Sequence, residues 1–257
     1  SYQIWFITNC FAAANESPPV ILERSDKIPI ESYYSSRMTH LKKQQKINET
    51  AKQRIIGLTL ETRPDQINET EIEFMRLLGC TRVELGVQSI FDKVLKKVNR
   101  GHLVESTIMA TKLLKNAGFK ICYHLMPNLP ESNRTLYYMM FKEIFDNDNF
   151  KPDMIKIYPC VVLKQAELKK WYKSKKYQPY PEKELINLII DIKRIIPPWI
   201  RINRLGRDIP AANIIAGNKI SNIREVVKKQ MVKEGISCQC IRCREIKSKK
   251  IKSCDSY

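Results

Sequence analysis

The sequence predicts an α/β protein built on a parallel β-sheet, open or closed into a barrel. Three observations lead there. Strand-like runs start near residues 55, 81, 119, 154 and 199. The 26 to 45 residues between successive starts each hold a helix, and parallel strands need crossovers of about a dozen residues or more. The runs are β-branched and apolar on both faces, as strands buried between helical layers are.

The elements follow in order. Residues 2–13 are apolar and aromatic and read as a buried helix. Residues 15–39, with Pro18, Pro19 and Pro29, read as a loop, and 40–54 as a polar, solvated helix. Residues 55–61 form a strand ending in Thr62-Arg63-Pro64-Asp65. Asn68 with Glu71 three positions later signals a capped helix start, and Gly79 its end. Residues 81–89 form the next strand, followed by a short amphipathic helix closing on Asn99-Arg100-Gly101-His102. A helix over 104–117 has Ile108, Leu113 and Leu114 on its apolar side and stops at Gly118. A strand over 119–126 runs into Pro127-Asn128-Leu129-Pro130, and a helix covers 136–145. The apolar run 154–162 is a strand that ends or bulges at Pro159. Helices over 165–175 and 182–195 and a strand-like piece at 199–205 come next. Asn222 and Glu225 signal the start of a last helix, closed by Gly235.

Composition narrows the function classes. No run of 18 apolar residues exists, so no membrane span is expected, and the N-terminus lacks the basic and apolar regions of a secretory signal. Ser1 stands where an initiator Met would, as at an internal start. An intracellular chain is expected, with free thiols. The net charge is +18, and residues 161–257 carry 23 Lys/Arg against 9 Asp/Glu, so +14 of it lies there. A basic half beside a balanced half points to a polyanion, nucleic acid first. An A/T-rich genome that writes Lys and Ile freely accounts for the same charge.

In a parallel sheet the C-terminal strand ends share one edge, where α/β proteins place their chemistry. That edge gathers Glu61, Thr62, Arg63 and Asp65, then Gln88 and Ser89, then His124 and Asn128, then Tyr158. Glu84, two positions after Arg82 on its strand, projects into a barrel interior. The set suits a polar ligand with amine, carboxylate and ribose groups. It holds no nucleophile–base pair, no H-E-x-x-H and no glycine-rich phosphate loop. Hydrolysis is therefore poorly supported, and an enzyme whose reactivity comes from a cofactor fits better. The same residues also suit plain structural roles: Thr-Arg-Pro-Asp makes a good turn, and His124 a satisfied core histidine.

Of eight cysteines, Cys10, Cys80, Cys122 and Cys160 are scattered and read as small core residues. Cys238, Cys240 and Cys243 have C-x-C-x2-C spacing, which lets three thiols converge on one metal. A structural zinc takes four ligands, with Cys254 or a distant residue completing the set. The alternative is a redox-labile cluster without metal.

Several segments resemble one family. Gly57-Leu-Thr-Leu-Glu-Thr-Arg-Pro-Asp65, Gly79-Cys-Thr-Arg-Val-Glu-Leu-Gly-Val-Gln-Ser89, Asn99-Arg-Gly-His102, His124-Leu-Met-Pro-Asn-Leu-Pro130, Lys156-Ile-Tyr-Pro159, Pro197-Pro-Trp199 and Arg207-Asp-Ile-Pro210 run in order. They resemble the radical S-adenosylmethionine domain of the Elongator catalytic subunit family, over about residues 55–246. The resemblance implies an α/β fold, a partial TIM-like β/α barrel with strands three to six present, and a Cys-rich C-terminal extension. The implied domains are 1–54, N-terminal helices and loop; 55–206, the C-terminal part of the barrel; and 207–257, a basic Cys-rich segment with a metal site.

The implied function is modification of carbon 5 of the wobble uridine of tRNA, using S-adenosylmethionine, a 4Fe-4S cluster and acetyl-CoA. Glu61, Arg63, Gln88, Ser89 and His124 are then the cofactor-pocket candidates. Cys238, Cys240 and Cys243 are the metal ligands, zinc being the metal considered. Lys169, Lys170, Lys173, Lys175, Lys176, Arg201, Arg204 and Arg207 are the candidates for the tRNA anticodon arm. Other Elongator subunits are candidate partners, and the expected compartment is the cytoplasm, or the nucleus as well in a eukaryote. Two departures stand out. The family's cluster cysteines and Gly-Gly pair are expected upstream of this sequence, and its acetyltransferase domain downstream. The competing readings are a truncated tRNA-binding paralogue without catalysis and a radical S-adenosylmethionine enzyme acting on a small molecule.

Overall fold

A computed structural model describes residues 2–18, 30–220 and 222–246, with only the backbone of residues 30–34. It contains five strands in one parallel sheet, ordered β1 (Leu58–Thr62), β2 (Cys80–Gln88), β3 (Lys120–Leu125), β4 (Met154–Ile157) and β6 (Arg201–Leu205). Among the described residues the sheet is open at β1 and β6. A second, two-stranded antiparallel sheet pairs β5 (Val162–Leu163) with β7 (Ile214–Ala216). The helices are α1 (Tyr2–Ala14), α2 (Ile30–Asn48), α3 (Glu69–Leu77), α4 (Asp92–Lys97), α5 (Val104–Asn116) and α6 (Arg134–Asp146). They continue with α7 (Leu168–Lys173), α8 (Glu182–Ile195), α9 (Ile223–Lys233) and α10 (Ile241–Arg244).

The chain divides into two compact units. One holds residues up to 60 together with 68–83. Its core joins Ile4, Ile7 and Phe11 of α1 to Leu41 of α2 and Leu78, with Leu58, Leu60 and Phe74 packed against it. Here two readings are corrected. The segment expected as a loop to residue 39 is helical from Ile30, and the polar helix expected to residue 54 ends at Asn48. Asn48 ends it physically. Its side chain is buried, accepts the Ile55 N–H at 2.7 Å and donates to the Gln53 carbonyl at 3.1 Å, so it satisfies the chain as it turns toward β1. β1 itself begins at Leu58, three residues late, and Ile56 is exposed.

At the start of α3, Asn68 Oδ1 accepts the Glu71 N–H at 3.0 Å, the expected cap. Gly79 ends that helix at φ 84°, where an added Cβ would stand 3.1 Å from the Gln45 amide.

The other unit holds 61–67 and 84 onward. In α5 the buried stripe is Thr107, Ala110, Thr111 and Leu114, while Ile108 and Leu113 are only half-buried. The buried Thr111 hydroxyl is satisfied: it donates to the Thr107 carbonyl at 2.7 Å and also bonds the buried Tyr123 hydroxyl. β4 stops before Pro159, as its sequence allows, and the chain re-enters extended structure only at Val162. Asn133, at the start of α6, accepts the Leu136 N–H at 2.8 Å. Asn222 precedes α9 but its side chain makes no capping bond, so that signal was a position without the interaction. Asp153 ties β3 to β4: it accepts the Ile121 N–H at 2.8 Å and meets Lys115 at 3.1 Å.

Candidate active site and metal centre

The registry of the sheet brings the interior polar residues together. His124 pairs with Lys156 across β3 and β4. Glu84 of β2 reaches both: its Oε2 lies 2.6 Å from His124 Nε2 and accepts a hydrogen bond from Lys156 Nζ. Glu84 and His124 are almost fully buried. Burial pushes the Glu84 carboxyl up, but the His124 and Lys156 donors outweigh it and leave it at about 2. Burial likewise works against the Lys156 ammonium, and Glu84 outweighs that too, raising it. This carboxylate stays ionised inside the sheet because two donors converge on it. Cys122 also lies beside Glu84 and His124, but Lys156 already neutralises the group.

Above this layer, His124 Nδ1 faces Glu61 Oε1 at 3.3 Å, and Glu61 is mostly exposed. The Tyr158 ring meets His124 edge-on, centroids 5.4 Å apart, and the Arg207 guanidinium lies 5.1 Å over the Tyr158 ring. Of the residues expected at the strand-end edge, Glu61 and Tyr158 therefore meet at His124. Arg207, expected with the nucleic-acid set, also stands beside this group.

Gln88 ends β2 at φ 67°, and its Oε1 is buried without a partner among the described atoms. A buried amide oxygen without a donor is open to accepting one. Ser89 is fully buried and accepts the Phe91 N–H at 3.2 Å, shaping the turn into α4. Arg63 is held by Asp65, Nε to Oδ1 at 2.9 Å, and the Arg63 hydrogen bonds, against some burial, keep the Asp65 carboxyl well below the carboxylate range. Arg100 donates twice to the Gly86 carbonyl, at 2.7 and 3.2 Å, and clamps β2 just before Gln88. A Cβ on Gly86 would collide with that guanidinium. Lys156 and Arg100 were not among the expected site residues. Lys156 had a signal: a charge within the apolar strand Met154–Ile157 must be paired. The loop after β3 is pinned at this edge by Tyr177, whose hydroxyl donates to the Asn128 carbonyl at 2.7 Å.

The cysteine group lies elsewhere. The Sγ atoms of Cys238, Cys240 and Cys243 are within 4.8 Å of one another. Ile241 N–H bonds the Ile200 carbonyl at 3.0 Å, Arg244 Nη2 the Pro198 carbonyl at 2.5 Å, and Arg201 pairs with Glu245 at 2.5 Å. All three anchors sit where β6 begins. The thiols are thus at the N-terminal edge, a strand length of about 15 Å from the end where Gln88 and His124 gather. Hydrogen bonds among the three, with Lys193 adding, hold the Cys243 thiol well below its ordinary value and push the Cys238 thiol well above it. The donor set fits a soft divalent metal. Cys254 lies outside the described residues.

Of the basic residues, Lys170, Lys173, Lys175 and Lys176 are exposed and Lys169 half-buried, on and just after α7. Lys170 pairs with Glu167 at 3.0 Å, Arg204 with Asp208 and Arg201 with Glu245, so these three are engaged within the chain. Trp171 of α7 lines a cavity of about 230 Å³ with Leu129, Pro130 and Cys160, and Lys97 lies 5.1 Å over its ring.

Two family models match: "Radical SAM superfamily" over residues 31–140 and "Radical_SAM C-terminal domain" over 152–233. The chain belongs to the radical SAM superfamily. Among curated relatives, it is 49% identical over 237 residues to the "tRNA uridine(34) acetyltransferase" of Methanocaldococcus infernus, covering 92% of this chain and 41% of that protein. It is 37% identical over 193 residues to human "Elongator complex protein 3", covering 75% of this chain and 35% of that protein. A solved structure of archaeal Elp3 from Methanocaldococcus infernus, lacking part of its N-terminus, superposes with TM-score 0.83 at 49% identity, over 95% of this chain and 53% of that one. The chain thus spans about half or less of the relatives it matches. Radical SAM membership implies S-adenosylmethionine and a 4Fe-4S cluster. The buried, partnerless Gln88 Oε1 fits the amine of the former. The thiols do not fit the latter: Cys10, Cys80, Cys122 and Cys160 form no three-thiol group among the described residues, and Cys238, Cys240 and Cys243 are at the wrong edge. Among the described residues no helix is long and apolar enough to cross a membrane.

Proposed function

We propose that this chain is the radical SAM portion of an Elongator-type enzyme that modifies carbon 5 of the wobble uridine of tRNA, drawing its acetyl group from acetyl-CoA. The observation that carries the proposal is the 49% identity, over 92% of the chain, to a curated tRNA uridine(34) acetyltransferase. When bound, S-adenosylmethionine at its cluster supplies the radical chemistry, with cluster ligands and acetyl-CoA site in parts of such enzymes that this chain does not span.

The chain's own residues do the rest. Gln88 accepts the ligand amine through Oε1. Glu61 at the mouth accepts a ribose hydroxyl, and Ser89, whose oxygen already accepts the Phe91 N–H, keeps its own proton to donate. Arg63, fixed by Asp65, presents its remaining guanidinium N–H groups to a carboxylate. His124, oriented by Glu84, sets the wall of the pocket. Cys238, Cys240 and Cys243 hold zinc in a structural role.

Lys169, Lys170, Lys173, Lys175 and Lys176, with Arg201, Arg204 and Arg207, take the anticodon arm, the exposed Lys173, Lys175 and Lys176 contributing most. Other Elongator subunits are partners in this reading, and the cytoplasm, or a eukaryotic nucleus, is the compartment.

Two measurements test it. Wobble uridine from cells lacking the gene, digested and weighed by mass spectrometry, should lose its carbon-5 modification; an unchanged nucleoside overturns the proposal, and binding without that loss identifies a non-catalytic paralogue. tRNA binding should weaken steeply from about 50 to 200 mM salt, and neutralising Lys173, Lys175 and Lys176 should flatten the log–log slope by about 0.7–0.9 per residue. Salt-insensitive binding would remove the role of the basic helix.

A further inference from the structure

The three thiols share their site with a buried ammonium. Lys193 lies in the last turn of α8, is 4% exposed, and places Nζ 3.3 Å from Cys243 Sγ. Its neighbours on the buried side of α8 are Ile189 and Ile190, one turn back.

A lysine on such a face ordinarily runs its stem along the apolar surface and carries its charge to water. Lys193 does not. A last-turn lysine does gain from the partial negative charge of a helix C-terminus, but that gain requires no burial. Arg194, the next residue, shows the ordinary outcome: it is half-exposed and meets Glu234 at 3.5 Å. An ammonium out of water needs an anion against it. The group that Lys193 Nζ bonds is the Cys243 sulfur. A neutral thiol would not compensate the charge, whereas a thiolate would.

The three sulfurs and the buried ammonium together favour a bound cation. Three thiolates alone would repel one another within 4.8 Å. Three thiolates around a divalent cation carry one net negative charge, which faces the Lys193 ammonium in direct contact with Cys243 and the half-buried Arg224 guanidinium nearby. We propose that Lys193 is the counter-cation of a three-thiolate divalent-metal site, donating N–H···S to Cys243, and that it governs how tightly the metal is held. This rests on reading Cys238, Cys240 and Cys243 as metal ligands. Lys193 is a positioning residue there: it touches a ligand sulfur and leaves the metal to the thiolates.

The test is metal retention. The protein is purified from zinc-supplemented medium, its zinc is measured by elemental analysis, and transfer to a chromophoric chelator is timed. The parent should carry one zinc, and Lys193→Met should release it at least about tenfold faster, as loss of outer partners of metal ligands typically does. Lys193→Arg, which keeps charge and donor, should restore slow release. A parent protein without zinc overturns the metal reading itself. Zinc bound normally and released at the parent rate by Lys193→Met overturns the role of Lys193 while leaving the metal site standing. Should Lys193→Met not fold, the parent decides: amine labelling read by peptide mass spectrometry should spare Lys193 in the zinc-loaded protein and modify it once zinc is stripped. Equal labelling in both states refutes the proposal.

Discussion

Replacing Glu84 by glutamine probes the electrostatics of the sheet interior. The Glu84 side chain is 5% exposed, and one oxygen takes both His124 and Lys156. Its carboxyl falls from an ordinary 4.5 to about 2 because those donors outweigh burial. At about 1.4 kcal/mol per tenfold change, that depression corresponds to about 3 kcal/mol of stability. The sign is set by linkage. A carboxyl lower in the folded than in the unfolded chain stabilises the fold above about pH 4.5, and that contribution is lost as pH falls toward 2. Glutamine keeps an acceptor for His124 but removes the anion from Lys156, which is mostly buried. Urea unfolding near neutral pH should show Glu84→Gln less stable by about 2–4 kcal/mol. Between about pH 5 and pH 3 the variant should lose less further stability than the parent, since its share of the acid sensitivity is gone. Lys156→Met in the same background should recover much of the loss, with a coupling above about 1 kcal/mol. A loss under about 0.5 kcal/mol with parallel pH curves would refute the reasoning.

Two further outcomes follow from local geometry. Gly86→Ala should cost about 1–3 kcal/mol in thermal unfolding, because its Cβ displaces the Arg100 guanidinium from the Gly86 carbonyl; adding Arg100→Ala should then cost less than it does in the parent. Asn133→Ala should cost about 1 kcal/mol by removing the bond to the Leu136 N–H, and Asn133→Asp, which keeps the acceptor, should cost far less.

The edge residues were legible in the sequence because of a topological fact rather than any one motif. Once residues 55–61, 81–89 and 119–126 are parallel strands, Glu61, Gln88 and His124 must share an edge. Lys156 and Arg100 were not legible as site residues. Lys156 acts on Glu84, 72 residues away, and Arg100 on the carbonyl of Gly86, 14 residues away, which carries no side-chain signal. The misread N-terminal region has the opposite cause. Helix α2 is polar and weakly amphipathic, so periodicity could not set its ends, and Asn48 ends it through bonds to residues that follow the helix.

What the sequence determined by itself is what neighbours along the chain decide. Strand and helix alternation follows from apolar periodicity, the stops at Gly79 and Gly118 from their positive φ, and the start of α3 from Asn68. The C-x-C-x2-C spacing likewise sufficed to bring three thiols together. Tertiary structure alone decided where these pieces face. Strand register put His124 beside Lys156 and under the reach of Glu84, turning three separated polar side chains into one buried group. The packing of α10 on residues 198–201 put the thiols at the sheet edge opposite the pocket and against Lys193. Spacing limits which atoms can meet within a turn or two. Which charges must neutralise each other out of water is settled only when distant segments are packed into the same low-dielectric volume.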